Sequence, residues 1–426
     1  MEHVIEAKGT EAGRETKGYD SGAGNVGVIK DAKILYVGPL RDFSGYAHAA
    51  RDYVLALDAF DMNVVTRDVI YDGGSYQKNE READLSARSV QDIDILIQHT
   101  TPNETERKEG VFNVNIFCWE TDTVPKEWVD HLNKMDLVIA MSQHTKKSLL
   151  NCGVEITTPI IVFGSPVNQD IATSDAEPYP LEQIGLPEEV TDVFLHVGQI
   201  VGDPERDRKN TYGLVHGFLE AFKDDPTKAL VIKANMGRNT AMDRSQCSGM
   251  LRNFRKSLNF ESKAHIFLLH GTMTDKQMAG LYQHPKVKAF VSFTRGEGFG
   301  LPFLEAACHG LPIIATNHSA HTEILQVSGV PKFIRADFMI REVPKHLVDN
   351  VIIPDGSRWA FVPTEEIVHT LQRFAKSGGD VKPREMAAEL KEKIRARFTT
   401  LEMAKEMYAH LLEASPKLFD PENLEE

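Results

Sequence analysis

From residue 33 onward, short apolar runs alternate with stretches whose apolar residues recur every three or four positions. The runs KILYVGPL, NVVTRDVI, IDILIQHT, VNIFCWE, DLVIAMS and PIIVFGS are rich in β-branched residues and are predicted as strands. Amphipathic segments such as AHAARDYVLAL and PKEWVDHLNKM fall between them and are predicted as helices. Alternation of this kind implies parallel strands joined by helical crossovers. The series pauses near residue 168, where NQDIATSDAEPYPLEQIGLPEEV carries three prolines and many acids, as suits a linker.

A second series follows, with VFLHVGQ, ALVIKAN, HIFLLHGT, AFVSFT and PIIATN as strands and TYGLVHGFLEAFK, TDKQMAGLYQ and LPFLEAACHG as helices. The segment from about 384 to 413 is rich in helix formers and has no glycine or proline, which predicts terminal helices that pack back across the boundary. The expected fold is α/β, with two Rossmann-like, doubly wound domains facing a central cleft. Residues 1–30 are read as a flexible tail, 31–180 as the first domain, 181–395 as the second and 396–426 as a helix returning to the first.

Composition narrows the function. A chain of 426 residues exceeds one ordinary core, in keeping with two domains. Its 48 basic and 62 acidic residues give a formal charge of −14, which disfavours nucleic acid or anionic membrane as a general partner. The four cysteines, Cys118, Cys152, Cys247 and Cys308, are scattered, which points to a reducing compartment and no metal site. The N-terminus has neither a basic start nor an apolar run, and no stretch approaches the roughly 18 apolar residues needed to span a bilayer. A cytoplasmic protein is expected.

The chemistry concentrates in RGEGFGLPFLEAACHG, residues 295 to 310, which by its order is a strand-end turn opening a helix. Gly296, Gly298 and Gly300 would let backbone approach an anion, and the amides of Phe299, Gly300 and Leu301 would offer it a helix N-terminus. Glu297 before the turn and Glu305 within the helix would each accept hydrogen bonds from vicinal hydroxyls. Two carboxylates around a phosphate cradle describe a sugar–diphosphate–ribose ligand. A plain turn with solvent-facing acids is the bland alternative.

EGFGLPFLEAACHGLPIIATNHSAHTEIL resembles the signature of retaining GT-B glycosyltransferases of family 4, whose E-x7-E pair is met by Glu297 and Glu305, with Glu323 also in step. The resemblance runs back through HGTMTDKQMAGLYQHPKVKAFVSFT. It implies that Glu297 holds a hydroxyl of the donor sugar, Glu305 the ribose and the amides after Phe299 the distal phosphate. HVGQIVGDPERDRKNTYGLVHGF resembles the family's first strand and loop of the second domain, with Gln199 where many members carry Arg and Arg208-Lys209-Asn210 where they carry R-K-G. Lys209 is thus the expected diphosphate cation, with Arg208 or Arg206 standing in for the missing Arg. A cation is required there because the leaving diphosphate gains charge in the transition state.

In the first domain, GPLRDFSGYAHAAR resembles the family's N-terminal glycine-rich loop, so that Ser44, Gly45 and Tyr46 would face the diphosphate or acceptor. FCWETDTVPKEWVDHLNKMDLVIAMSQHT resembles a subset with W-E-T-D, which places Glu120 near the position of the family's catalytic-domain histidine and Asp122 beside it. These acids and Trp119 would serve the reacting carbon or the acceptor, with helix capping by Asp122 as the alternative. His99, at another strand end, is a further acceptor-side candidate. The other histidines are unpaired in spacing, and no metal is expected.

The resemblance implies a retaining, metal-independent transferase that uses a nucleotide-sugar donor, UDP-sugar favoured, with no separate cofactor. In the front-face mechanism proposed for the family, the leaving phosphate itself deprotonates the acceptor. A glycan, a lipid-linked or small-molecule hydroxyl and a modified DNA base all remain open as acceptors, the last disfavoured by the acidic charge. The competing classes are a non-catalytic nucleotide-sugar or glycan binder on the same fold and a GT-B epimerase. Oligomeric state stays open.

Overall fold

The computed structural model describes residues 32–415, apart from residues 72, 75, 174–175, 237–239 and 378–380. The tail expected over residues 1–30 lies outside the described residues, as do residues 416–426.

Two six-stranded sheets, parallel throughout, form the frame. The first holds β1 (Lys33–Gly38), β2 (Asn63–Asp68), β3 (Ile95–Gln98), β4 (Phe112–Phe117), β5 (Leu137–Ala140) and β6 (Ile160–Val162), in the order β2-β1-β3-β4-β5-β6. The second holds β7 (Asp192–Gln199), β8 (Lys228–Asn235), β9 (His265–His270), β10 (Val287–Ser292), β11 (Ile313–Thr316) and β12 (Ile334–Ala336), in the order β12-β11-β10-β7-β8-β9. Every residue of β3, β5 and β11 is buried, as sheets covered on both faces require.

The order of the first sheet reverses between β1 and β3, and that of the second between β7 and β10. Chain leaving the strands diverges at such points and opens a crevice beyond their carboxyl ends. This puts the loop after β7 (with Lys209) and the turn after β10 (with Glu297) side by side.

Six helices position the site. Ser44 caps α1 (Gly45–Ala59) by accepting from the Ala47 N–H at 3.2 Å, and Ser142 caps α2 (Gln143–Leu150) through the Thr145 N–H at 3.0 Å. After α3 (Thr211–Ala221) and α4 (Leu301–Cys308), the long C-terminal segment divides into α5 (Val381–Arg397) and α6 (Thr400–Ala414), separated where Thr399 caps the second. Arg395 of α5 donates to the Cys308 carbonyl of α4 at 3.1 Å. Met403, Met407 and Leu411 bury α6 against α1, where Tyr408 meets Phe60 edge-on at 5.5 Å. The Val167 N–H donates to the Phe398 carbonyl at 2.8 Å, so the two chain crossings between the halves touch.

Residues 337–361 make a strap from the second half onto the first. Its base is the antiparallel pair Met339–Glu342 with Arg358–Phe361. Its tip receives the Trp128 indole N–H on the Val351 carbonyl at 3.2 Å, and Ile352 packs on the cluster around Trp119 and Trp128.

Candidate functional site

The turn after β10 is built by contact with the first half. A Cβ on Gly296 would lie 2.3 Å from the Glu120 carbonyl oxygen, and one on Gly298 would lie 2.7 Å from the Cys118 Cβ and 2.8 Å from the Trp119 nitrogen. These two glycines therefore admit the backbone of the chain after β4, a close approach that the sequence alone does not announce. The Phe299 ring lies against Gly164, and the Ser142 hydroxyl donates to the Gly298 carbonyl at 2.8 Å. Gly300 has φ +109 and starts α4 without a side-chain cap. Among the described residues no protein acceptor faces the amides of Phe299, Gly300 and Leu301, so the positive end of α4 stays uncapped.

Beside that helix end lies a network of two acids and two cations. Lys209 Nζ lies 2.7 Å from Glu297 Oε1 and 2.8 Å from Oε2. Arg208 lies 3.6 Å from Glu297, 3.3 Å from Glu120 across the cleft and donates to the Gly296 carbonyl at 2.5 Å. Glu297 is only 4% exposed; burial pushes its carboxyl up, but Lys209 and Arg208 outweigh it and hold the group down at about 2. Asn210, at φ +55, turns the chain so that Lys209 faces the cleft just before α3.

Glu305 sits further along α4, where its Oε2 accepts from the Tyr282 hydroxyl at 2.7 Å. Burial pushes its carboxyl up to about 7, with the neighbouring Asp275 adding to the rise and the Tyr282 bond and Lys233 opposing it. The second half thus aligns a carboxylate, two cations, a helix N-terminus and a second carboxylate along one wall.

The first half contributes less than its sequence suggests. Gly45 is exposed at the start of α1, with nothing within 4 Å of where a Cβ would stand, and the Ser44 hydroxyl is engaged as the cap. The Tyr46 hydroxyl donates to the Ile116 carbonyl at 3.2 Å, and its ring packs edge-on against His99 at 4.4 Å. His99 is fully buried, shares a 2.7 Å hydrogen bond with Tyr36 and is pushed down to about 3 by that burial. It packs as a core histidine whose Nε2 has no protein hydrogen-bond partner.

Trp119 likewise belongs to a core. It is 6% exposed, meets Trp128 at 4.8 Å and donates its indole N–H to Thr121 and the Thr123 carbonyl at 2.8 and 2.7 Å, so it offers no platform to a sugar. Asp122 neither faces the reacting centre nor caps the helix Glu127–Leu132, whose start has no side-chain cap. Instead it accepts from the Arg358 backbone N–H and Nε, both at 2.7 Å, and so anchors the strap. Of the two acids after β4, Glu120 alone reaches the charged network. Glu323 holds the N–H groups of Gln143 and His144 at 2.8 and 2.9 Å, joining the second half to α2.

Sequence reasoning missed Tyr282 as the partner of Glu305, and Lys233 on β8 as a charged neighbour. Tyr282 ends the predicted helix TDKQMAGLYQ, and nothing in that pattern marks its hydroxyl. The sequence holds an Asp-x-Asp at Asp92-Ile93-Asp94, which precedes β3 at the end of the sheet away from the cleft, where Asp94 accepts from the Lys33 N–H at 2.7 Å. Among the described residues no three His, Cys, Asp or Glu side chains are grouped as metal ligands, and no helix is long and apolar enough to cross a membrane.

Residues 249–334, which span β9, β10, α4 and β11, match the family model for glycosyl transferases group 1. No curated protein sequence matches the chain. Among solved structures, a glycosyltransferase from Rickettsia africae ESF-5 is 15% identical over 91% of this chain and 99% of its own, with a TM-score of 0.59. Anabaena Alr3699/HepE, solved in complex with UDP and glucose, is 13% identical over 90% and 100%, also at 0.59. The trehalose-6-phosphate synthase OtsA is 9% identical over 89% and 99%, again at 0.59. At such identities the likeness is one of fold, and that fold is the GT-B arrangement.

Proposed function

We propose that this protein is a retaining, metal-independent glycosyltransferase, similar to those of family 4, that moves a sugar from a nucleoside-diphosphate donor to an acceptor hydroxyl. The observation that carries the reading is the alignment of Glu297, Lys209, the uncapped start of α4 and Glu305 at the switch point of the second sheet. Their spacing by element matches the order sugar, diphosphate, ribose. A UDP-sugar is the favoured donor, since the Anabaena structure of the same fold holds UDP and glucose.

In this reading the diphosphate lies on the amides of Phe299, Gly300 and Leu301, with Lys209 and Arg208 beside it. These groups stabilise the charge that develops as the bond from the anomeric carbon to the phosphate oxygen breaks. The acceptor oxygen forms its bond to the same carbon from the same face, and its proton passes to the departing phosphate. Glu297 orients the sugar, Glu305 the ribose, and Glu120 closes on the reacting side from the first half. No enzymic nucleophile is required.

The test is release of nucleoside diphosphate from UDP-, GDP- and ADP-sugars, with and without a panel of glycan, lipid-linked and small hydroxyl acceptors. Release that depends on acceptor and disappears in Glu297→Gln supports transfer. Tight binding of a nucleotide sugar with no release across the panel would make the protein a binder.

A further inference from the structure

Lys233 is a buried cation that the reading above leaves without work. It is 5% exposed on β8, and strand alternation gives it the same face as Ala229 and Val231, which share a core with Phe303 and Leu304 of α4. Its ammonium has three donors, yet its hydrogen bond is to a neutral group, Asn235 Oδ1, at 2.8 Å, and it forms no ion pair among the described residues. Lys233 and Glu305 nevertheless lie close enough for each to alter the other's ionisation, and His48 of α1 feels Lys233 from the opposite wall. A buried ammonium with one neutral partner is unfavourable unless something else supplies an acceptor.

Position decides what that acceptor is. The cations placed for the diphosphate follow β7 and the helix end follows β10, whereas β8 lies on the far side of β7 from β10. Lys233 is therefore on the nucleoside side, next to the carboxylate that holds the ribose. We propose that Lys233 reads the nucleobase of the donor, donating to an exocyclic carbonyl oxygen such as O4 of uracil or O6 of guanine. Cytosine and adenine present an amino group at the corresponding place, and an amino group facing an ammonium leaves both donors unpaired. The inference rests on the donor-site reading and adds to it a selection among nucleotides.

Calorimetric titration of the full chain with UDP, CDP, GDP, ADP and inorganic pyrophosphate tests it, using the parent, Lys233→Met, Lys233→Arg and Glu305→Gln. The parent should bind UDP over CDP, or GDP over ADP, by about tenfold or more, the scale of one lost charged hydrogen bond. Lys233→Met should bring the preferred nucleotide within about twofold of its amino counterpart while pyrophosphate affinity holds, which also shows that the variant is folded. Lys233→Arg should keep the preference, and Glu305→Gln should weaken both nucleotides alike. A ratio unchanged in Lys233→Met, a parent indifferent to the base, or a parallel loss of pyrophosphate would each overturn the proposal. A parent that binds no nucleoside diphosphate would overturn the donor site itself, and this inference with it.

Discussion

Both carboxylate oxygens of Glu297 rest on the Lys209 ammonium, at 2.7 and 2.8 Å, inside a wall where Glu297 is only 4% exposed. The two charges hold each other in the buried site, and Arg208 at 3.6 Å adds a weaker hold. A buried pair of this kind is costly to break from one side, because the remaining charge is left without its counter-ion.

Lys209→Ala should therefore destabilise the fold by about 3 kcal/mol, while Lys209→Ala combined with Glu297→Gln recovers most of that loss and still lacks transfer. Urea unfolding of both variants, read beside product formation, checks the coupling. Equal destabilisation in the two would show that the pair is not a unit.

Glu305 gives a dependence on pH. Burial raises its carboxyl from 4.5 to about 7, so the folded state holds this proton more tightly than the unfolded chain does. Its contribution to stability is then present below about pH 4.5 and is lost as pH rises towards 7. Glu305→Gln cannot ionise and can still accept from Tyr282. Its melting temperature should match the parent near pH 4.5 and exceed it at about pH 8. A difference that stays constant with pH would remove Glu305 as the cause.

Gly296→Ala tests the closure of the cleft. The added Cβ would sit 2.3 Å from the Glu120 carbonyl, a backbone atom that cannot rotate away, so the two walls must separate locally. Transfer should fall by about tenfold or more, while nucleoside diphosphate affinity, carried by the second half, changes by less than about threefold. Titration beside turnover distinguishes this from general unfolding, in which both would be lost.

The acids after β4 should behave differently from each other. Asp122→Asn loosens an exposed ion pair with Arg358, and should cost about 1 kcal/mol or less with transfer reduced only a few-fold. Glu120→Gln, which removes the acid facing Arg208, should lower transfer by roughly 10²-fold with nucleotide affinity kept within about twofold. The reverse ranking in a direct activity comparison would return the catalytic role to Asp122.

Among the described residues, eleven of the twelve strands of the two parallel sheets were legible as apolar runs, because strands covered on both faces can carry little else. The twelfth, Ile334–Ala336, is three residues long and presents no run to detect. The break between α5 and α6 was hidden in helix-forming sequence, since Thr399 ends nothing by composition and acts only through its cap. At the site, Glu297, Glu305 and Lys209 stood out by motif. Trp119, Asp122 and His99 did not reveal their direction, because a residue just past a strand can turn to the core, a neighbouring strap or the cleft. Arg208 facing Glu120 required the relative placement of two sheets, which no local pattern encodes.

The strap has a mechanical consequence. The halves are joined where the chain crosses at Val167 and Phe398, and again where Arg358 and Val351 meet the first half at Asp122 and Trp128. Between these pins the walls also meet at Glu323 with Gln143 and His144 and at Ser142 with Gly298, so rotation about the line through the pins has to release these side-chain contacts. Sliding of one wall along the other would have to tear a pin, whereas swinging leaves both in place. Such a swing would lift Glu120 from Arg208 and Gly296 from the chain after β4 in a single stroke, so that admitting one substrate and dismissing the other product become the same movement of a door on two hinges.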